Sequence, residues 1–254
     1  MRAVSIATVL GVLTLINAAA APVRLAISSD AAPPGHKLTS SYPLHTRITA
    51  TVFWIGEPVG NGSTENNAIS AYDDRWLRHY GGVDPVLPRR HAPWFPPFHP
   101  LENPFYLDVP YHDFRNSGQP RAGRTQVVPW AAQSAAAFAA AARAGLPYSL
   151  MKNRWVELIH VRNGRRRVCY GQVEDAGPYV YDDADYVFGS SNEPPRNTLA
   201  AGAGMDVSPA LRDCLGFTGA NNDENAIDWR FVGAAQVPAG PWRLVITTRQ
   251  VFWP

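Results

Sequence analysis

Apolar and polar residues alternate in several short segments of this chain, a pattern typical of strands with one face in a core. The alternation predicts strands over residues 48–55 and 168–173, and two closing strands over residues 228–232 and 241–248. Glycine and proline are frequent between these segments, which favours many short strands joined by long loops. The pattern therefore predicts a mainly β domain.

Two other segments have helical character. Tyr72, Trp76 and Tyr80 recur at four-residue spacing within residues 68–80, which predicts a helix with an aromatic stripe, most simply packed against the barrel. The alanine-rich segment 130–144 is a strong helix former and predicts scaffold rather than polar chemistry.

Composition and charge limit the classes of function. With 46% hydrophobic and 17% charged residues, the chain can bury a core and is not disordered. A formal net charge of +2 is too small to indicate a nucleic-acid partner. We expect one folded domain over residues 48–254, which functions as a monomer.

The first residues have the character of an export signal. Arg2 precedes an apolar stretch over residues 3–16, and small residues follow at Ala18–Ala20. We expect residues 1–20 to be a signal peptide and residues 21–47 a flexible leader. The mature protein would be secreted or periplasmic, with no membrane contact after cleavage.

The chain has two cysteines, Cys169 and Cys214. In an exported protein a disulfide is the expected fate of such a pair, and two buried free thiols are the alternative. The cysteines lack partners at zinc-ligand spacing, and the acidic run at Asp182, Asp183 and Asp185 lacks the pattern of a calcium loop. We expect neither a metal nor a cofactor.

Two carboxylates stand in distinctive settings. Asp175 ends an alternating run and is followed by Ala-Gly-Pro-Tyr, which predicts a strand that ends in a turn. Asp206 comes shortly before a short helix that Ser208 would cap, Pro209 would begin and Gly216 would end. Two acids at the ends of neighbouring elements, with aromatic residues nearby, are typical of carbohydrate-cleaving sites.

These motifs resemble those of a known superfamily. Asp-Ala-Gly-Pro-Tyr at residues 175–179 and Met-Asp-Val-Ser-Pro-Ala-Leu at 205–211 resemble the Asp-Arg-Gly-Pro-Phe and Ile-Asp-Leu-Ser segments of RlpA-like double-psi β-barrels. Expansins and family-45 endoglucanases have related segments. A strand with an Asn-Gly hairpin over residues 155–165, and an expansin-like opening over residues 50–63, extend the similarity.

The resemblance implies a mainly β fold, a six-stranded double-psi β-barrel with insertions. We expect a proline-rich insertion at about 85–101 and a helical one at about 114–148. Trp94, Phe95 and Phe98 lie in the first insertion, where they would either wall a sugar-binding groove or pack over the barrel.

The resemblance also implies activity on a cell-wall polysaccharide, either peptidoglycan or a cellulose-like glycan. Asp206 has apolar neighbours, Met205 and Val207, which favour the raised pKa of a proton donor, and Asp175 would assist. The reaction would be that of a lytic transglycosylase or a glycoside hydrolase. The alternatives are a non-catalytic, expansin-like protein that binds or loosens walls, and a secreted interaction module that reuses the barrel.

Further residues are candidates for contact with the polymer. Tyr106 stands where RlpA-like enzymes have a histidine, and His112 beside Asp113 either supplies the missing polar group or is merely solvated. Family-45 endoglucanases take their base from the first strand, where Glu57 is the nearest acid. The full set of binding candidates is Trp54, Glu57, Tyr106, Tyr111, His112, Asn153 and Tyr179.

Overall fold

Six short strands close into a barrel in the computed structural model, which describes residues 42–60, 66–115, 118–219 and 225–253. Around the barrel the order is β1-β5-β2-β4-β3-β6. The strands are β1 (His45–Val52), β2 (Tyr106–Val109), β3 (Trp155–Arg162), β4 (Arg165–Ala176), β5 (Met205–Val207) and β6 (Ala226–Val232).

The barrel is mixed. β1 pairs with β5 and β2 pairs with β4 in parallel, whereas every other neighbouring pair is antiparallel. Because the sheet closes on itself, no strand edge is left unpaired. The predicted mainly β fold class, with a closed six-stranded barrel, is confirmed.

The first strand of the barrel begins three residues before the predicted start of the domain at residue 48. It starts at His45, whose ring is buried and stacks on Trp229 of β6. The predicted signal peptide and residues 21–41 of the predicted leader lie outside the described residues.

The aromatic stripe packs as expected, but its helix is short. Tyr72, Trp76 and Tyr80 are all buried, yet the helix α1 spans only Trp76–Tyr80. Before it, the Asp73 carboxylate accepts a hydrogen bond from the Arg75 N–H (2.8 Å), and Ser70 and Asp73 bond to each other through their backbones. These turn contacts take up backbone groups that a longer helix would need.

The other helices lie in the connections between strands. They are α2 (Arg124–Val127), α3 (Ala135–Arg143), α4 (Ala184–Phe188) and α5 (Pro209–Leu215). α3 occupies the predicted segment 130–144 but begins later, and it buries none of its residues. α5 is capped as predicted, since the Ser208 side chain accepts a hydrogen bond from the Leu211 N–H and Gly216 has a left-handed backbone.

The proline-rich segment 85–101 contains neither helix nor strand, as predicted. It lies over α5, where the Arg212 guanidinium donates to the carbonyls of Val86 and Leu87, and the Asp213 carboxylate accepts from the Arg89 N–H. Trp94 packs edge-on against Phe105. These contacts favour the alternative in which the aromatic residues of this segment cover the barrel.

The prediction of a closing strand over residues 241–248 is wrong. This segment begins with one turn of 3-10 helix, Pro241–Arg243, and continues without regular structure. Its backbone groups form hydrogen bonds with side chains instead of with a neighbouring strand. For example, the Gln172 Oε1 atom accepts a hydrogen bond from the Thr247 N–H (3.0 Å). β3 and β1 already flank β6, so the barrel offers no edge on which a further strand could pair.

The predicted disulfide is confirmed. Cys169 of β4 and Cys214 of α5 are bonded, with their Cα atoms 6.4 Å apart. Together with the Ser208 cap, this bond fixes α5 against the strand that leads to Asp175. Within the described ranges, no helix combines the length and apolar character that crossing a membrane requires.

Replacement of both cysteines by alanine should lower the free energy of unfolding. Opening a loop of about 45 residues restores chain entropy to the unfolded state, worth about 4 kcal/mol in the loop-closure treatment. Guanidinium melts of the oxidised protein and of the Cys169→Ala/Cys214→Ala double variant measure the difference. An unchanged midpoint would contradict a stabilising role for this bond.

Candidate functional site

Four neighbouring strands bring polar residues to one level of the barrel. Thr51 of β1 pairs with Asp206 of β5, Asp206 pairs with Asp108 of β2, and Asp108 pairs with Asp175 of β4. The two aspartates predicted from sequence are therefore separated by a single strand. The parallel and antiparallel registers together produce this alignment.

Asp206 is the middle residue of the three-residue strand β5, in which successive side chains point to opposite faces of the sheet. Met205 and Val207 are fully buried in the core, and the side chain of Asp206 between them stays partly exposed. Its Oδ1 atom accepts a hydrogen bond from the Thr51 hydroxyl. The hydrogen bond from Thr51 thus holds the carboxyl in place.

Asp175 is held by backbone donors at the end of β4. Its Oδ1 atom accepts hydrogen bonds from the N–H groups of Ala71 (2.7 Å) and Ala176 (2.8 Å). The first of these bonds ties the strand end to the loop before α1. Asp175 is 9% exposed, so the carboxylate lies at the base of the site.

Glu57 is fixed in the turn that follows β1. Its N–H donates to the Trp54 carbonyl (3.0 Å), and its Oε2 atom accepts from the Asn67 side-chain amide (3.2 Å). Burial raises the pKa of Glu57 to about 7, and the hydrogen bonds to it only partly offset this effect. Glu57 therefore spends part of its time protonated near neutral pH.

Asp206, Asp175 and Glu57 form an acid cluster. Burial raises the pKa of Asp206 to about 7, and the negative charges of Asp175 and Glu57 contribute in the same direction. A carboxyl group with such a pKa keeps its proton for a large share of molecules at neutral pH. Asp206 can consequently serve as a proton donor.

Asp108 is the residue of this site that the sequence did not indicate. It is buried, and its Oδ1 atom accepts a hydrogen bond from the Asp206 N–H (2.9 Å). A Cβ atom on Gly177 would lie 2.8 Å from the Asp108 Oδ2 atom, and Gly177 has φ of +153°. The glycine of the Asp-Ala-Gly-Pro-Tyr motif therefore makes room for Asp108. The one feature of the sequence that could have indicated Asp108 is the presence of an acid among the apolar residues of β2.

The aromatic candidates divide into accessible and buried residues. Trp54 is partly exposed and directly precedes the turn of Glu57, and Tyr179, 37% exposed, follows the turn after Asp175. Tyr106 is fully buried and donates its hydroxyl to Asp84 (2.9 Å). Tyr111 is 2% exposed and lies in the core. Trp54 and Tyr179 are thus the rings that remain available to a ligand.

His112 and Asp113 are both buried, so the expectation of a solvated pair is wrong. The Asp113 carboxylate accepts from the Arg124 guanidinium (2.9 Å) and from the Ser149 hydroxyl (2.7 Å), which makes it an internal anchor. Burial, together with the charge of Arg121, lowers the pKa of His112 to about 4. The ring is neutral at pH 7 and lies between other aromatic rings.

Asn153 lies in a different place from the acid cluster. It lines a cavity with Lys152 and Arg154 whose wall contains none of Glu57, Asp175 and Asp206. Asn153 directly precedes β3 in the sequence, and this position did not indicate that it lies apart from the acid cluster. Within the described ranges, no set of three or more His, Cys, Asp or Glu residues has an arrangement that could hold a metal ion.

Comparison with known proteins gives no relative: no protein-family model, no curated protein and no solved structure matches this chain.

Replacement of Asp108 by alanine should destabilise the protein more than replacement by asparagine. Alanine leaves the partly buried Asp206 N–H without its acceptor, at a cost of about 1 kcal/mol, whereas asparagine keeps an oxygen there. Urea melts of the two variants and the parent protein test this. Equal stability of Asp108→Ala and Asp108→Asn would contradict the positioning role of this carboxylate.

Proposed function

We propose that this chain is an exported protein that cleaves glycosidic bonds in a cell-wall polysaccharide, with Asp206 as general acid. The observation that carries the proposal is the alignment of Asp206 with Asp175 across a single strand, where burial and the charges of Asp175 and Glu57 raise the pKa of Asp206 to about 7. Cleavage of a glycosidic bond requires a proton for the leaving oxygen, and a carboxyl group with such a pKa can supply it.

Asp175 is the partner of this acid. As the bond to the leaving oxygen breaks, positive charge develops on the sugar ring, and a fixed carboxylate nearby stabilises that charge. The two backbone N–H groups that bind Asp175 keep it in position for this role. Trp54 and Tyr179 are the exposed rings on which a pyranose would stack.

The identity of the nucleophile decides the product. If Asp175 activates a water, the proton of that water goes to Asp175 and a new reducing end forms. If a hydroxyl of the substrate attacks instead, its proton goes to Asp175, the product is an anhydro-sugar end and no water is consumed.

Several features support assignment of the barrel to the RlpA-like and expansin-like double-psi class. The closed barrel combines parallel β1–β5 and β2–β4 pairs with antiparallel ones. Both motifs that carry the resemblance lie at the acid cluster, with Asp175 closing β4 and Asp206 inside β5. The disulfide fits an exported protein, because such bonds persist in oxidising compartments.

A second candidate is a non-catalytic, expansin-like wall binder. The observation that favours it is that Asp175 and Asp206 both already accept hydrogen bonds inside the protein. In that case the aspartates would hold strand ends and loops together, and the exposed rings would bind the polymer without breaking it.

Replacement of Asp206 by asparagine should abolish most of the cleavage. Asparagine keeps the size and the oxygen that faces Thr51 but has no proton to transfer, so we expect turnover to fall on the order of a hundredfold or more. Purified sacculi and amorphous cellulose are incubated with each protein at pH 6, where Asp206 is largely protonated, and the products are analysed by mass spectrometry. Anhydro ends indicate transglycosylation, and reducing ends indicate hydrolysis.

Asp185→Asn is the matched control, because it makes the same change at an exposed position on α4. Polymer binding and the thermal midpoint of Asp206→Asn should stay close to those of the parent. Absence of new ends with the parent protein, combined with polymer binding, would favour the wall binder. Undiminished cleavage by a folded Asp206→Asn protein would exclude Asp206 as the acid.

A further inference from the structure

A second candidate site lies beside the start of β3 and the end of β6. It is a cavity of about 450 Å³, which we call the Arg154 cavity. Aromatic side chains form much of its wall, including Tyr42, Tyr148 and Trp155, and the side chains of Asn153 and Arg154 add polar groups. A cavity of this size suits a ligand of one or two sugar rings.

The charge of this wall is opposite to that of the acid cluster. The lining residues include the cations Lys152 and Arg154, and no Asp or Glu is among them in the described part of the chain. The charge of Lys152 is balanced by an ion pair with Glu174, a residue outside the cavity wall, because its Nζ atom lies 2.6 Å from the Glu174 carboxylate. Arg154 is therefore the charge that the cavity presents.

Arg154 has no carboxylate partner in the described ranges. Its Nε atom donates to the Leu150 carbonyl (3.0 Å) and its Nη2 atom to the Ser134 hydroxyl (2.5 Å). The guanidinium also lies over the Trp130 ring, 5.1 Å from its centroid. Asp113 acts on it from a distance but is itself paired with Arg124. These contacts fix the orientation of the guanidinium and leave its positive charge without a bonded anion.

Desolvation of an arginine without a counterion is unfavourable, and burial lowers the pKa of Arg154 accordingly. An anion that enters the cavity would relieve this penalty. A carboxylate matches the planar guanidinium in geometry as well as in charge.

We propose that the Arg154 cavity binds a carboxylate-bearing pyranose. The carboxylate would pair with the Arg154 guanidinium, and the flat face of the sugar would lie against Tyr42 or Tyr148. The choice of a sugar over another small carboxylate rests on the proposed function. The preference for an anion rests on the cavity alone.

Two matched pairs of probes test the proposal. N-acetylmuramic acid is compared with N-acetylglucosamine, which lacks its lactyl carboxylate, and glucuronic acid is compared with neutral glucose. Affinities are measured by ligand-observed NMR titration of the full chain at pH 7. We expect at least one acid to bind tenfold or more tightly than its neutral partner. Preference for N-acetylmuramic acid alone would indicate peptidoglycan as the source, and preference for glucuronic acid alone a uronate polymer.

Arg154→Gln should remove this preference, whereas Arg165→Gln, at an exposed position on the β3–β4 hairpin, should leave it intact. Because Arg154 also holds Leu150 and Ser134, a second variant is needed that leaves these bonds in place. Ala234→Trp places a large ring at an exposed residue of the cavity wall and should block binding of the acid without touching the guanidinium.

Equal affinity for acid and neutral sugars, or retention of the preference in both folded Arg154→Gln and Ala234→Trp, would overturn the proposal. Failure of the proposed function gives a different result. Undiminished cleavage by Asp206→Asn, or no cleavage by the parent protein, would contradict that function and would leave binding in the cavity unchanged, since Asp206 is not part of its wall.

Discussion

The candidate site depends on one buried carboxylate, Asp108, which lies between the two strands that carry the acids. Its register pairs it with Asp206 on one side and Asp175 on the other, and it accepts a hydrogen bond from the Asp206 backbone. Gly177 has no Cβ atom because one would collide with this carboxylate. Asp108 therefore sets the spacing between the two acids and explains a glycine of the sequence motif.

Gathering carboxylates in one place opposes folding, because their charges repel and burial penalises the ionised forms. The raised pKa values of Asp206 and Glu57 are the direct expression of this cost. The closed barrel and the disulfide between β4 and α5 supply the compensating stability. A pKa suited to proton transfer is thus a consequence of an arrangement that the rest of the fold holds in place.

Local patterns predicted the local features well. The Ser208 cap, the disulfide and the end of β4 at Asp175 depend on short-range chemistry, and all of them follow from sequence. Strand pairing and packing decided the rest. No spacing rule places Asp108 beside Asp206, and the segment 241–248 has the composition of a strand but no edge to pair with. The exposure of individual side chains could not be predicted from the sequence either, and two of the tyrosine candidates, Tyr106 and Tyr111, lie in the core.

Burial, together with the charges of Asp175 and Glu57, raises the pKa of Asp206 to about 7, so that this carboxyl holds its proton in a large share of molecules near neutral pH. The pH titration of the Asp206 side-chain carboxyl by ¹³C NMR, in the parent protein and in Asp175→Asn, measures this pKa. We expect a midpoint for Asp206 near 7, moving toward the ordinary value of about 4 when the charge of Asp175 is removed. A midpoint near 4 in the parent, or one that does not move in the variant, would contradict this expectation.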